Sequence, residues 1–172
     1  VLRQTTARLP WLLIGMIGGI GNSMILGNFD ATFAAHPEMA LYIPLIGGTG
    51  GNVGTQSSAI IVQGLANSSL DAKNTFKQVT KEAVVALINA TIISLLVYTY
   101  NFIRFGATAT VTYSVSISLF AVVMFASIFG TLVPMTLEKL KIDPAIATGP
   151  FIAITNDIIG MMLYMGITVL LS

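Results

Sequence analysis

The sequence predicts an all-α integral membrane protein with five transmembrane helices per subunit. Two observations of composition predict the membrane class: 55% of the 172 residues are hydrophobic, and only 9% are charged. A soluble domain carries roughly 25% charged residues, so this chain cannot cover a globular surface with solvated side chains. The third observation is the placement of the few charges, which fall in clusters between five charge-poor stretches.

The composition also excludes several classes of function. The net charge is +1 and no strongly basic cluster supplies the phosphate contacts that nucleic-acid binding needs. The chain has no cysteine, which excludes thiol chemistry and cysteine-ligated metals. It starts at Val1 rather than at Met, and residues 1–8 are polar, so we expect a piece of a longer protein. A secretory signal is the alternative, but no clear cleavage site follows the long apolar stretch.

The five charge-poor stretches are the predicted helices. They cover residues 9–29, 39–66, 83–101, 112–137 and 145–171. Each is long enough to cross a hydrocarbon core of about 30 Å as a helix. The chain is therefore expected to be a multi-pass protein of the lipid bilayer.

The positive charges predict the orientation of these helices. Five crossings place successive loops on alternate sides, and with a cytoplasmic N-terminus seven Lys and Arg lie inside while only Arg104 lies outside. The inside charges are Arg3, Arg8, Lys73, Lys77, Lys81, Lys139 and Lys141. The positive-inside rule then predicts a cytoplasmic N-terminus and an outer C-terminus in the inner (plasma) membrane.

The first loop follows the Gly-rich first span and is acidic. Asp30 and Glu38 lie there, on the predicted outer side, where they provide a mildly favourable field for an entering cation. His36, the only histidine, stands beside Pro37 in the same loop. No second His or Cys stands at a ligand spacing, so we interpret His36 as a solvated loop residue rather than a metal ligand.

The second span is unusually polar for a membrane helix. Five glycines fall within residues 47–54, and a polar run from Thr55 to Ser58 follows. Each polar group that faced lipid without a hydrogen-bond partner would cost several kcal/mol of free energy. This segment must therefore face protein or water. Two interpretations stay open: an ion path lined by oxygen atoms, and tight helix packing through the pair of Gly47 and Gly51. A phosphate-binding loop is excluded because no Lys-Ser/Thr pair follows the glycines.

The third and fourth spans are apolar and carry no charge. The methionines scattered through the apolar spans are typical of core filler rather than of a soft-metal relay. The glycine-rich motif of the second span has no counterpart in the fourth, so no inverted repeat of the kind found in many coupled carriers is evident.

The fifth span contains Asp157, the only charge within any of the apolar stretches. It lies about 18 Å from the cytoplasmic start of that span at about 1.5 Å per residue, near the membrane midplane. A charged residue at this depth raises the free energy of membrane insertion by on the order of 2.5–3.5 kcal/mol. Ala153 shares its face, and Thr155 and Asn156 lie beside it, where we expect them to hold the carboxylate. A protonated, hydrogen-bonded carboxyl and a cation site are the two interpretations, and the lack of an intramembrane Lys, Arg or His favours the cation.

The available ligands at membrane depth predict the type of cation. All are oxygen atoms, which suit hard cations such as Mg²⁺ or Ca²⁺, and Mn²⁺ or Co²⁺ could occupy the same site. One carboxylate is too little charge for a divalent ion, whereas a two-fold homodimer brings two Asp157 side chains together. An H⁺- or Na⁺-coupled cation carrier and a non-conducting membrane anchor or dimerisation module are the alternatives. An enzyme is disfavoured because no acid–base pair is present.

Three motifs between Pro44 and Gly160 are specific in combination, and the resemblance that they carry covers nearly the whole chain. They are the run from Pro44 through GGNVGTQS at Gly50 to Ser57, the DPA at Asp143 to Ala145, and GPFIAITND, which ends at Asp157 and is followed by Gly160. In combination they resemble the transmembrane domain of MgtE-type magnesium channels and transporters. The resemblance implies a homodimer with five transmembrane helices per subunit and an ion path lined by the second and fifth helices. The leading hypothesis is therefore a Mg²⁺-selective, channel-like pore driven by membrane potential.

The resemblance also assigns parts of the chain. It implies that residues 1–8 end a cytoplasmic connecting helix and that residues 9–172 form the transmembrane pore domain. Asp157 is then the principal Mg²⁺ carboxylate, with the Ala153 backbone beside it. The residues expected to line the path are Gly50, Gly51, Asn52, Gly54, Thr55, Gln56, Gly149, Pro150 and Asn156. The cytoplasmic regulatory domains that family members usually carry are absent from this sequence.

Overall fold

The computed structural model describes residues 2–147 and 149–172, and these residues form helices and no strands. The α-helices are α1 (Leu2–Gly27), α2 (Asp30–Ala35), α3 (Ile43–Ala66), α4 (Thr75–Phe105), α5 (Thr110–Lys139) and α6 (Pro150–Leu171). Short 3₁₀ helices precede α3, α4 and α6, at Pro37–Tyr42, Ala72–Asn74 and Pro144–Ala147. The prediction of an all-α fold is confirmed.

Four helical segments of the described chain are long and apolar enough to cross a membrane. They are Leu2–Gly27, Ala72–Phe105, Thr110–Lys139 and Pro150–Leu171. Helix α3 is 24 residues long and carries no charged side chain, but its glycines and polar residues keep it outside this group. These segments are typical of a helical membrane protein, and a membrane crossing by α3 stays a prediction.

The helix ends differ from the expected spans most at the starts of three helices, and α4 begins at Thr75 rather than at residue 83, so the cluster Lys77, Lys81 and Glu82 lies within its first turns. Helix α1 begins at Leu2, so the described part of residues 1–8 continues directly into the first span, and Val1 lies outside the described residues. Helix α6 begins at Pro150 rather than at residue 145, since proline suits the first turn of a helix. Gly149 precedes it with φ of 82°, a left-handed conformation that favours glycine, and Thr148 lies outside the described residues.

The interior of the fold is built around α5. This helix packs against α3, α4 and α6 and contributes more buried residues than any other helix of the described chain. Glycines allow the closest approach to α3: a Cβ built on Gly130 would lie 2.5 Å from the carbonyl oxygen of Gly54. Gly50 lies against Val122 in the same interface. The helix α3 is thus held backbone to backbone against the most buried helix.

Contacts near the two ends of α3 give its direction relative to α4. The Tyr42 hydroxyl, just before α3, donates a hydrogen bond to Asn101 near the end of α4. Further along α3, Ser57 Oγ donates to Glu82 Oε1 near the start of α4 at 2.7 Å. The two helices therefore run antiparallel and share the same depth of the fold.

The contacts of α6 give two further directions. Along α3, Gly47 faces Met161 whereas Gly54 faces Ile152, so α3 and α6 are antiparallel. Helix α1 has no buried residue and packs against α6, with Gly18 against Ile154. The site described below lies where α6 passes between α1 and α3.

Candidate cation site

Asp157 lies in the first half of α6, is half-buried, and faces the backbone of α3. A Cβ built on Gly47 would lie 3.6 Å from Asp157 Oδ1, and one built on Gly51 would lie 3.4 Å from the same atom. The two glycines are one helical turn apart, so the carboxylate rests against a strip of α3 that carries no side chains. This contact brings the carboxylate of the fifth predicted span to the glycine-rich segment of the second.

Helix α1 forms another wall of the site. A cavity of about 70 Å³ is lined by Gly15, Gly18, Gly19, Asn22, Ile154 and Asp157. The residues of α1 are not among those predicted from the sequence to form a site. Their spacing in the sequence could have indicated a shared surface, since residues 15, 18, 19 and 22 recur at steps of three and four and therefore lie on one helical face. The partner of that face could not be read from the sequence, because α1 meets α6 only in the tertiary structure.

The carboxylate has no cationic partner in the part of the chain that the structure describes. The ion pair found there joins His36 Nδ1 to Glu38 Oε1 at 3.7 Å, in the loop between α2 and α3. No group of three or more His, Cys, Asp or Glu side chains is gathered among the described residues. Among the described residues, Asp157 therefore has no charged partner.

The two neighbours expected to hold the carboxylate do not do so. Thr155 Oγ1 donates its hydrogen bond to the Phe151 carbonyl of its own helix at 2.8 Å. Asn156 is 1% exposed, and neither polar atom of its side chain has a hydrogen-bond partner. Its amide lies instead against Gly54, where any Cβ would overlap it. The expectation was wrong because Asn156 is turned by about 100° from Asp157 around the helix, toward the interior of the fold.

The remaining residues expected to line a path divide between two faces of α3. Gly50 and Gly54 are buried against α5 and α6, Gly51 and Thr55 are half-buried, and Asn52 and Gln56 are exposed. Thr55 Oγ1 donates to the Gly51 carbonyl at 2.8 Å. The glycine-rich segment therefore packs tightly through Gly50 and Gly54 rather than through the expected pair of Gly47 and Gly51, and it presents polar groups on another face, where an ion path stays a prediction.

On α6, the expected path residues lie at the start of the helix. Gly149 is exposed, and Pro150 and Ala153 are half-buried. The Ala153 amide donates to the Gly149 carbonyl at 3.1 Å, which closes the first turn. Ala153 lies one turn before Asp157, so it occupies the same face of α6.

Comparison with known proteins identifies the family. The MgtE family model, described as a divalent cation transporter, matches residues 43–167, which include α3 and Asp157. The chain belongs to the MgtE family of divalent cation transporters. The prediction that it is a transporter rather than an enzyme is confirmed by this membership.

Three MgtE relatives, each named magnesium transporter MgtE, are similar over almost the whole chain. The proteins of Bacillus subtilis and Thermus thermophilus are each 32% identical, over 93% and 96% of this chain. The protein of Enterococcus faecalis is 28% identical over 96% of it. The matches cover 35%, 36% and 36% of the relatives, so the chain spans about a third of their length.

Proposed function

We propose that this chain forms the transmembrane pore of an MgtE-type magnesium channel, in which two copies hold a largely hydrated Mg²⁺ between their Asp157 carboxylates. The observation that carries the proposal is the position of Asp157. Its carboxylate lies inside an apolar helix, against the bare backbone at Gly47 and Gly51, and has no ion pair within the described chain. Such a charge is stable in a membrane when a cation supplies the missing partner.

The chemistry of the proposed site follows from the ligands. Mg²⁺ releases its water reluctantly and is commonly held by one or two carboxylates that act on a partly hydrated ion. The Asp157 oxygens accept hydrogen bonds from ion-bound water, and the carbonyl groups near Ala153 and the oxygens of residues 50–56 accept others. Membrane potential then drives entry, with roughly 2.3 kcal/mol per elementary charge per 100 mV. Mn²⁺, Ca²⁺ and Co²⁺ compete for the same oxygens.

The exposed face of α3 supports a homodimer. In a single chain Gly48, Asn52 and Gln56 are exposed along one side of this helix. Side-chain amides facing hydrocarbon are unfavourable, so this side is expected to face a second copy across a water-filled path. The same arrangement doubles the negative charge available to a divalent ion, since it brings two Asp157 side chains to one axis.

The helix directions support five crossings with a cytoplasmic N-terminus in the plasma membrane. Helix α3 runs antiparallel to α4 and α6, as alternating crossings require. It shares the depth of α4 from Asn101 to Glu82. Seven of the eight Lys and Arg then lie on the cytoplasmic side, in agreement with the positive-inside rule.

Replacement of the carboxylate tests the proposal. We expect Asp157→Asn to lower Mg²⁺ uptake into proteoliposomes under an imposed membrane potential by at least roughly tenfold, since the amide keeps the shape and removes the charge. Asp71→Asn is the matched control, because Asp71 lies in a loop and its side chain accepts from the Lys73 amide, as an asparagine oxygen also does. Equal uptake by both variants would refute the proposal. Flux that follows an H⁺ or Na⁺ gradient at fixed voltage would favour the coupled carrier instead.

A further inference from the structure

Another cavity lies between α1 and the start of α6. Its volume is about 550 Å³, and it shares no lining residue with the smaller cavity beside Asp157. Helix α1 lines one side of it with Ala7, Arg8, Trp11 and Leu12, and the other side is formed by Ala145, Ile146 and Pro150. Pro150 precedes Asp157 by about 10 Å along α6 at about 1.5 Å per residue. The cavity is therefore a separate site on the helix that carries the carboxylate.

The chemistry of this cavity combines apolar walls with one cation. The lining is apolar except for Arg8 and the indole N–H of Trp11, which lie one turn apart on α1. The guanidinium is always charged and presents a planar fork of donors that matches a phosphate, and the indole adds one donor. Arg8 has no ion pair in the part of the chain that the structure describes, and the described lining includes no acidic residue. An anionic group is the partner that this arrangement lacks.

The depth of the two donors matches the membrane surface. In the predicted orientation, Arg8 is one of the positive charges on the cytoplasmic side. Trp11 lies about 4.5 Å further along α1 at about 1.5 Å per residue, and tryptophan is enriched at the level of the headgroups. The cytoplasmic leaflet is rich in anionic lipids, which attract basic residues close to its surface. Lipid phosphates are therefore expected at the level of Arg8.

The two characters of the lining select between ligands. A soluble phosphate would pair with Arg8 but leave the apolar walls at Leu12 and Ile146 uncovered. An apolar protein segment would cover those walls but leave the guanidinium unpaired. A zwitterionic lipid carries its own cation beside the phosphate, so it gains less from Arg8 than a lipid with a net negative charge does.

We propose that this cavity binds an anionic phospholipid. Its phosphate oxygens accept hydrogen bonds from the Arg8 guanidinium and from the Trp11 indole, and an acyl chain lies against Leu12 and Ile146. The bound lipid then packs beside Pro150, at the start of the helix that carries Asp157. Binding of this lipid does not depend on the proposed transport of Mg²⁺.

The fluorescence of Trp11 tests this site directly, because it is the only tryptophan of the chain. The protein is reconstituted in phosphatidylcholine vesicles that contain increasing fractions of a phospholipid with brominated acyl chains, which quench tryptophan on contact. We expect brominated phosphatidylglycerol to reach half-maximal quenching at a mole fraction roughly fivefold lower than brominated phosphatidylcholine does, the preference expected for one basic residue at the surface.

Substitution of the two arginines of α1 identifies the source of that preference. Arg8→Gln should bring the ratio of the two mole fractions to about one, while the emission of Trp11 in vesicles without bromine stays as in the wild type. Arg3→Gln is the matched control, because it removes one positive charge from the same helix at a position that does not line the cavity. This variant should keep the fivefold ratio.

Three results would overturn the inference. A wild-type ratio of about one, or an unchanged ratio in Arg8→Gln, would show that Arg8 does not select an anionic lipid. Loss of the preference in potassium phosphate, but not in potassium chloride of equal ionic strength, would assign the site to a soluble phosphate instead. Absence of quenching by either lipid would show that a second copy or another protein segment covers the cavity.

Discussion

At the scale of single residues, the site depends on two glycines of α3, which leave the helix backbone open in front of Asp157. Gly47 and Gly51 let the Asp157 carboxylate approach the helix backbone, and any larger residue would occupy the space in front of its oxygens. A carboxylate within an apolar helix is costly, so surroundings that admit water and a cation matter more here than additional packing. In the proposed channel, the two glycines would therefore differ in role from Gly50 and Gly54, which are buried against other helices.

The contrast predicts how substitutions at Gly51 behave. A methyl group at 3.4 Å from Asp157 Oδ1 is an ordinary contact, so Gly51→Ala should fold normally and lower Mg²⁺ uptake by about tenfold or less, equivalent to about 1.4 kcal/mol. Gly51→Val adds two further carbons beside the same atom and should lower uptake more strongly. Uptake normalised to the amount of folded protein in proteoliposomes measures the effect.

A glycine away from the site provides the control for this prediction. Gly27 ends α1, and a Cβ there would meet nothing within 4 Å, so Gly27→Ala should transport as the wild type does. If Gly51→Val retains full uptake, the oxygens of Asp157 do not need the open backbone of α3.

At the scale of helices, α3 and α5 meet backbone to backbone in the interior. The Gly130 position faces the Gly54 carbonyl, and Ser57 Oγ lies 3.4 Å from Ser127 Oγ further along the same pair. Small residues at such interfaces let two helix backbones approach in a membrane, where no hydrophobic driving force joins the helices. The position of α3, and with it that of Gly47 and Gly51, therefore depends on α5.

Replacing Gly130 by alanine at this interface should lower the stability of the protein. In Gly130→Ala the new Cβ would lie 2.5 Å from a backbone oxygen that cannot rotate away, so α3 and α5 must separate. Overpacking of this kind costs typically about 1–3 kcal/mol, which should lower the thermal midpoint of the detergent-solubilised protein by several degrees. Fluorescence-detected size-exclusion chromatography after heating measures this midpoint.

Alanine should have the opposite effect on the thermal midpoint when it replaces a glycine that has free space around it in another helix. A Cβ on Gly166 in α6 would meet nothing within 4 Å, and alanine is preferred over glycine within a helix by roughly 0.5–1 kcal/mol. Gly166→Ala should therefore keep or raise the midpoint. A midpoint of Gly130→Ala at or above that of the wild type would show that the two helices are not in backbone contact.

The helices and the central carboxylate could be predicted from the sequence because they depend on local composition. Clustered charges delimit the apolar stretches, and Asp157 is conspicuous as a charge without a solvated neighbour. The surroundings of Asn156 could not be predicted in this way, since they depend on which helix faces it. Asn156 is turned toward Gly54, and α1 lines a cavity beside Asp157, because α6 packs between α1 and α3.

At the scale of the whole molecule, one chain leaves part of its polar surface uncovered. Helix α3 is buried by α5 and α6 on one side and exposes Asn52 and Gln56 on the other. By contrast, the exposed side of α4 is largely apolar and includes Leu95 and Leu96, as expected for a lipid-facing surface. The assembly should therefore bring two α3 helices together and leave α4 at the periphery.

Crosslinking between copies tests this arrangement. The chain has no cysteine, so Gln56→Cys introduces the one reactive thiol of each copy. In membranes treated with a short bismaleimide, which spans a water-filled gap that a disulfide cannot, we expect a covalent dimer of Gln56→Cys. Leu96→Cys, at a residue 67% exposed on α4, is the control and should crosslink at least roughly tenfold less, since lipid is expected to separate the two copies of α4. Dimers formed through Leu96→Cys but not through Gln56→Cys would place α4 rather than α3 at the interface. The two Asp157 side chains would then lie on separate helix bundles, and a Mg²⁺ site shared between copies would be impossible.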